Sequence, residues 1–153
     1  MEKKKIDAKI IREIKGAIYL SLAIFLLLSL LSYHPQDPSF THFAAGDQAI
    51  HNYTGKVGSY TSDSMIRLFG AAAFFFPLIF FICSFRYFLR PEFTVSKTRI
   101  AGFVFSVLSL SGIMALLIQG SVTLYGETLK NGAGGLLGVA LVNFLRAYLN
   151  VAG

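Results

Sequence analysis

The chain has 153 residues, of which 54% are hydrophobic and only 14% charged, and it carries a net charge of +6. That balance lies outside the usual range of soluble domains, and a chain this short lacks the mass to bury several long apolar runs in a water-surrounded core. What remains is an all-α membrane protein.

In chain order, residues 1–13 ("MEKKKIDAKIIRE") read as a cytoplasmic juxtamembrane helix. Ile6, Ile10 and Ile14 recur at four-residue spacing with charges between them, which suits a helix on the inner leaflet. Residues 14–33 form the first apolar run long enough to cross a hydrocarbon core. Lys3, Lys4, Lys5 and Lys9 ahead of it resemble the start of a secretory signal, but the apolar stretch is too long and "SYHPQDP" offers no small-x-small cleavage pattern. Pro35 and Pro38 bias the residues before them out of the helical region, so the span stops there. The loop 34–64 follows, in which Gly55 and Gly58 permit close backbone approach and "SYTSDS" offers capping side chains.

Residues 65–85 are the second span, expected to begin outside the bilayer and to kink at Pro77. The loop 86–99 is short and basic, and residues 100–121 are the third span. Gly102 and Ser106 stand there in the small-xxx-small spacing that lets two membrane helices approach, within the bundle or between copies. In the segment 122–153, "ETLKNGAGG" reads as a polar, glycine-rich loop. Residues 135–150 then form an amphipathic helix on which Asn143, Arg146 and Asn150 share a narrow face. It is expected to lie in the outer interface, because as a fourth span it would place Arg146 too deep. The expected fold is thus a small bundle of three transmembrane helices with an outer amphipathic helix.

The 14 basic residues alternate along this plan. Lys3, Lys4, Lys5, Lys9, Arg12 and Lys15 precede the first span, Lys56 and Arg67 follow it, Arg86, Arg90, Lys97 and Arg99 separate the second from the third, and Lys130 and Arg146 come last. This is the positive-inside pattern, with the N-terminus and the loop 86–99 in the cytoplasm and the loop 34–64 and the C-terminal segment outside. The basic excess is accounted for by topology and by attraction to anionic lipid, so the bilayer rather than nucleic acid is the partner it implies.

Chemistry-bearing groups are few. His34, His42 and His51 lie in the outer loop near Asp37, Asp47 and Asp63, but their spacings match no established zinc pattern. Cys83 lies at membrane depth without a partner or a nearby base. "TGKVG" fails as a phosphate loop, since Ile50 stands where its first glycine belongs and no Ser or Thr follows Lys56. No ionisable residue lies deep in any span, which disfavours an ion-coupled transporter. No catalytic residue, metal or cofactor is therefore expected.

"LLSLLSYHPQDPSF" at 27–40, "HNYTGKVGSYTSDSMIRLFGAAAFFFPLIFF" at 51–81 and "GGLLGVALVNFLRAYLNVAG" at 134–153 together resemble the N-terminal membrane domain of the FtsK/SpoIIIE family of bacterial septal DNA translocases. The most specific parts are the "SYxPxDPS" turn, the N-x-x-G-x-x-G spacing of Asn52, Gly55 and Gly58, and the distance from "LFG" to Pro77. The resemblance implies a four-span anchor at the division septum of the inner membrane, contacts with septal (divisome) proteins, and self-association through a cytoplasmic hexameric motor. It also implies that this chain stops where the fourth span would begin, as a fragment or the product of an interrupted gene. No Walker motif or DNA-binding winged helix is present, so ATP hydrolysis and direct nucleic-acid binding are not carried over to these residues.

The function expected is that of a membrane anchor and interaction module in cell division and chromosome segregation. The candidate partner contacts are Tyr33, His34, Pro35, Asp37 and Pro38 in the turn, packed with Asn143 and Arg146 of the amphipathic helix. The alternative is a small transporter or channel component gated at Pro77, with Ser106, Ser109, Ser111 and Gln119 as its polar groups.

Overall fold

A computed structural model describes residues 2–40, 42, 49–118, 120, 122–124, 127–129 and 132–149. Asp47, Gln119, Lys130 and Asn150, named above, lie outside the described residues. The first helix, α1, runs without interruption over Glu2–Leu31, so the juxtamembrane segment and the first span are one helix. No proline divides them, and the one internal glycine, Gly16, serves as a contact point: a Cβ there would meet the Phe88 ring at 3.0 Å. Ser32 ends the helix by donating its hydroxyl to the Leu28 carbonyl, and the proline turn follows.

The second hydrophobic run forms two helices rather than one kinked span. Helix α2 covers Gly55–Phe69, a tight 3₁₀ turn covers Gly70–Phe74, and α3 covers Phe75–Leu89. The break expected at Pro77 falls three to seven residues earlier. Gly70 takes φ +61°, in the left-handed region, which ends α2. Pro77 occupies the first turn of α3, where backbone N–H groups lack intrahelical acceptors, so its missing donor costs the helix nothing. Leu30 and Tyr33 of the α1 end, Ile66 of α2 and Ala73 of the turn make one buried cluster, joined by Met65 and Phe69. Helix α2 thus folds over the end of α1, and α3 returns antiparallel along it, with Ser84 donating to the Gly16 carbonyl at 2.8 Å and Tyr19 stacked on Tyr87.

Helix α4 spans Lys97–Leu117, capped by the Ser96 hydroxyl accepting from the Arg99 amide. A two-stranded antiparallel hairpin, β1 Val122–Leu124 and β2 Glu127–Leu129, stands where a plain loop was expected, paired as Val122 with Leu129 and Leu124 with Glu127. A 3₁₀ turn at Gly132–Gly134 then leads into α5, Gly135–Leu149.

Helix α5 packs against α4. Gly134 lies level with Ser111 and Ala115 of α4, Gly138 lies against the Ser111 carbonyl, and Gly112 faces Leu141, so α5 runs back antiparallel to α4. The approach is close because these positions lack bulk: a Cβ on Gly138 would stand 2.3 Å from the Ser111 oxygen. Four helical stretches are long and apolar enough to cross a membrane: Lys9–Leu31, Gly55–Leu89, Lys97–Leu117 and Gly132–Leu149. Arg146 lies in the last turn of α5, near its end at Leu149.

Of the two uses expected of Gly102 and Ser106, within the bundle or between copies, the first is not the one seen within this chain. A Cβ on Gly102 would meet nothing within 4 Å, and the exposed Ser106 donates to the Gly102 carbonyl of its own helix. Within the chain, the close face of α4 is Ser111, Gly112 and Ala115.

Gly70 and Gly135 face each other across the α2–α5 junction: a Cβ on Gly70 would stand 1.9 Å from the Ala133 carbonyl oxygen, and one on Gly135 2.5 Å from the Gly70 nitrogen. Replacing Gly70 by alanine is expected to lower stability by at least ~2 kcal/mol through left-handed strain and backbone overlap. Gly102→Ala, in open space on a helix, is expected to be neutral or stabilising by up to ~1 kcal/mol. Thermal unfolding of the two variants in detergent checks the contrast, and equal midpoints would contradict the packing described.

Candidate functional site

At the end of the bundle where α1 finishes and α2 begins, the proline turn and residues 49–54 fold onto each other. The organising side chain is Asn52, which is buried. Its carboxamide nitrogen donates to the Ser29 carbonyl at 2.9 Å, and lies 3.4 Å from the Ser32 carbonyl and 3.3 Å from the Ser62 hydroxyl. Those two carbonyls belong to the last turn and exit of α1, where backbone acceptors have no intrahelical partner. The carboxamide oxygen accepts from the amide and hydroxyl of Thr54, at 3.1 and 2.8 Å, which shapes the entry to α2. One side chain thus closes the end of one helix and starts the next.

The N-x-x-G-x-x-G spacing now has a physical cause. Gly55 holds φ +68°, and a Cβ on Gly58 would lie 1.7 Å from the Thr54 hydroxyl and 2.3 Å from the Asn52 amide oxygen. The Gly58 carbonyl accepts from both Ser29 at 2.7 Å and Ser62 at 2.8 Å, so α1 and α2 touch backbone to side chain at this point.

Asp37 is the second centre. It is almost wholly enclosed, and one carboxylate oxygen accepts from the His51 amide and lies 2.9 Å from the His51 Nδ1, while the other accepts from the Asn52 amide at 2.8 Å. The His34 ring stacks on His51 with centroids 4.4 Å apart. Ser59 donates to the Pro38 carbonyl at 2.8 Å, tying the turn to α2 from the other side. Deeper in, the Tyr33 hydroxyl and the Arg67 Nε both donate to one oxygen of Asp63, at 3.2 and 2.7 Å. This pairing explains the one charge near the start of the second hydrophobic run.

Ligand atoms of His34, Asp37 and His51 lie within 4.8 Å of one another, the one such trio among the described residues. The geometry fits a brace better than a metal centre. Both Asp37 oxygens and the His51 Nδ1 are engaged in the contacts above, and the two stacked rings, inclined at 25°, hold their lone pairs in nearly parallel, offset planes rather than aimed onto one point. The carboxylate orients the loop through backbone amides.

The residues expected to meet a partner divide accordingly. Tyr33, Pro35 and Asp37 are buried, while His34 and Pro38 are partly covered, so the turn faces inward. Asn143 and Arg146 are exposed on α5, which is packed along α4 rather than on the turn. The surface at this end is instead presented by Phe40, Tyr53 and Val57, exposed at 73%, 80% and 68%. Phe40 sits edge-on to Tyr60 at 4.9 Å, which holds Phe40 in place. The sequence reading named Asn52 only as part of a spacing, Ser62 only within a capping segment and Asp63 only there and near the loop histidines, and Ser29 escaped it; the clue was the N-x-x-G-x-x-G spacing, whose purpose depends on residues 20 or more positions away.

Residues 8–153 match the family described as the 4TM region of DNA translocase FtsK/SpoIIIE. The chain is similar to DNA translocase FtsK of Pseudomonas putida, 30% identical over 138 residues that cover 87% of this chain and 16% of that protein. It is similar to DNA translocase FtsK of Shewanella oneidensis, 32% identical over 132 residues, 80% of this chain and 14% of that protein. The counterpart from Azospirillum brasilense is 30% identical over 134 residues, 86% of this chain and 20% of that protein. The chain therefore spans a fifth or less of the length of these curated relatives. No solved structure matches it.

Asn52→Ala is expected to cost about 2–3 kcal/mol, since it strands buried carbonyls at the end of α1. His51→Ala, whose side chain is 58% exposed, removes one solvent-screened contact to Asp37 and is expected to cost under ~1 kcal/mol. Limited proteolysis within residues 33–54, read beside circular dichroism, separates them: Asn52→Ala opens the loop while the helices persist. Equal cleavage of the two variants would place the brace in the His51–Asp37 side-chain contact instead.

Proposed function

Because the chain belongs to the family of the 4TM region of DNA translocase FtsK/SpoIIIE, we propose that it anchors a septal DNA translocase in the membrane and docks it to other septal proteins during cell division and chromosome segregation. It is a multi-pass inner-membrane protein, and its apolar helices contact the lipid bilayer. The observation that carries the anchor reading is how polar side chains inside the bundle are used. Ser29, Ser84 and Ser111 are buried, and each donates to a backbone carbonyl of a neighbouring helix, at Gly58, Gly16 and Phe69. They fasten α1 to α2, α3 to α1 and α4 to α2. Ser106 bonds its own helix. Hydroxyls consumed as fasteners do not line a solute path, which favours a rigid anchor over the transporter reading.

The topology that fits is four crossings with both ends in the cytoplasm. Lys9, Arg12, Lys15, Arg86, Arg90, Lys97 and Arg99 stand at the end of the bundle where α1 begins, and Arg146 lies toward it. Lys56 and Arg67 stand at the other end, and Arg67 is bound to Asp63. The gradient follows the positive-inside rule, and the return of α5 extends it. Both chain ends in the cytoplasm suit a protein whose relatives act on DNA, and the motor and its oligomerisation belong to the remainder of such a protein. The Phe40, Tyr53 and Val57 patch is then the periplasmic docking surface, held by the braced turn beneath it.

Two measurements test this. Alkaline phosphatase fused after Gly153 is expected to be inactive and a fluorescent protein at the same point bright; active phosphatase would refute the fourth crossing. Replacing Phe40, Tyr53 and Val57 together by serine is expected to abolish septal localisation of a fluorescent fusion while membrane insertion stays normal. An undiminished septal band in that variant would remove the docking surface.

A further inference from the structure

Helices α3 and α4 are joined at two levels and part between them. At one level the rings of Phe75 and Phe103 stack with centroids 6.1 Å apart. At the other, Phe93 of the connecting loop lies edge-on to Tyr87 and under the Arg99 guanidinium, 4.9 Å from ring centre to cation. Between these contacts is a groove of about 540 Å³, walled by Ile79, Phe80, Ile100 and Phe103 and backed by Tyr19 of α1. That volume falls within the roughly 300–1,000 Å³ of small-molecule sites.

The groove is apolar along its walls and cationic at its mouth. Arg86, in the last turn of α3, and Arg99, in the first turn of α4, both line it, and no Asp or Glu does. Arg99 is held in place by its stacking on Phe93 and by donating Nη1 to the Thr94 carbonyl. Two guanidiniums at one end of a hydrocarbon-lined slot, on the basic end of a membrane bundle, match a phosphate attached to an acyl chain.

We propose that this groove binds one anionic phospholipid of the inner leaflet, its phosphate between Arg86 and Arg99 and one acyl chain lying along Ile79, Phe80 and Ile100 toward the Phe75–Phe103 stack. Charge complementarity selects the occupant. A neutral lipid leaves the two cations without a net counter-charge, and free phosphate leaves the apolar walls uncovered. The lipid takes the place of side chains between α3 and α4 and couples their basic ends.

The test is native mass spectrometry of the full 153-residue chain, released from detergent containing equal amounts of phosphatidylglycerol and phosphatidylcholine. One phosphatidylglycerol is expected to be retained in preference. Arg86→Gln with Arg99→Gln is expected to reduce that preference about tenfold or more, at roughly 1 kcal/mol per basic residue near the headgroups. Arg90→Gln with Lys97→Gln, an equal charge change outside the groove, is expected to leave it intact. Ile100→Trp, which fills the groove and keeps both arginines, is expected to expel the lipid while circular dichroism shows unchanged helix content; it carries the test alone if the double arginine variant fails to fold. Equal retention of both lipids overturns the site. So do an equal loss in the Arg90 and Lys97 control, retention in Ile100→Trp, and a dimer that excludes lipid, each of which transfers the effect to general surface charge or to a second copy.

Discussion

The fold depends on how the end of α1 is closed. A helix that emerges from hydrocarbon carries unsatisfied carbonyls in its last turn, and an unmet acceptor there costs more than it does in water. Asn52 supplies the donor from the start of the next helix, so the same amide fixes where α1 stops and where α2 begins. Everything at that end follows from this contact. Gly58 must lack a side chain for the amide oxygen to reach Thr54, Asp37 must be enclosed to hold the amides of His51 and Asn52, and the prolines keep the turn short enough for the two strands of chain to meet.

The second constraint is close approach without bulk. In lipid there is no hydrophobic drive to join helices, so packing and hydrogen bonds do the work. Gly70 against Gly135, and Gly134 and Gly138 against Ser111 and Ala115, bring backbones near enough for α5 to lie along α4. The Ser111 hydroxyl then reaches the Phe69 carbonyl and ties α4 to α2. The tight turn at Gly70–Phe74 is where these contacts converge, which is why the hydrophobic run breaks there and not at the proline.

Much of this was legible in the residues. The all-α membrane class, the long apolar helices α1 and α4, the stop at Pro35 and the close approach at Gly58 follow from apolar length, proline geometry and glycine, all of which act locally; Gly55 sits in open space and is needed for its positive φ instead. The family resemblance was legible too, because its turn and glycine spacing are contiguous. The placements that changed are those fixed by distant partners. The turn residues Tyr33, Pro35 and Asp37 look polar and exposed in sequence, yet Asp63 and the amides of His51 and Asn52 draw Tyr33 and Asp37 inward. Gly102 and Ser106 have the spacing of a packing motif, but α5 engages the next turns of α4 instead.

The sequence by itself determined an all-α membrane protein with several long apolar runs and the grouping of its basic residues between them, since hydrocarbon length and charge cost are properties of single segments. Only the tertiary structure decided that α2 folds over the end of the bundle, that α5 returns along α4, and that "SYHPQDPS" is a largely internal brace with the exposed Phe40 at its end. The physical reason is one: an amide, a carboxylate or a missing Cβ has no direction in a sequence, and acquires one only when the carbonyl, amide or backbone it meets is brought to it by the fold.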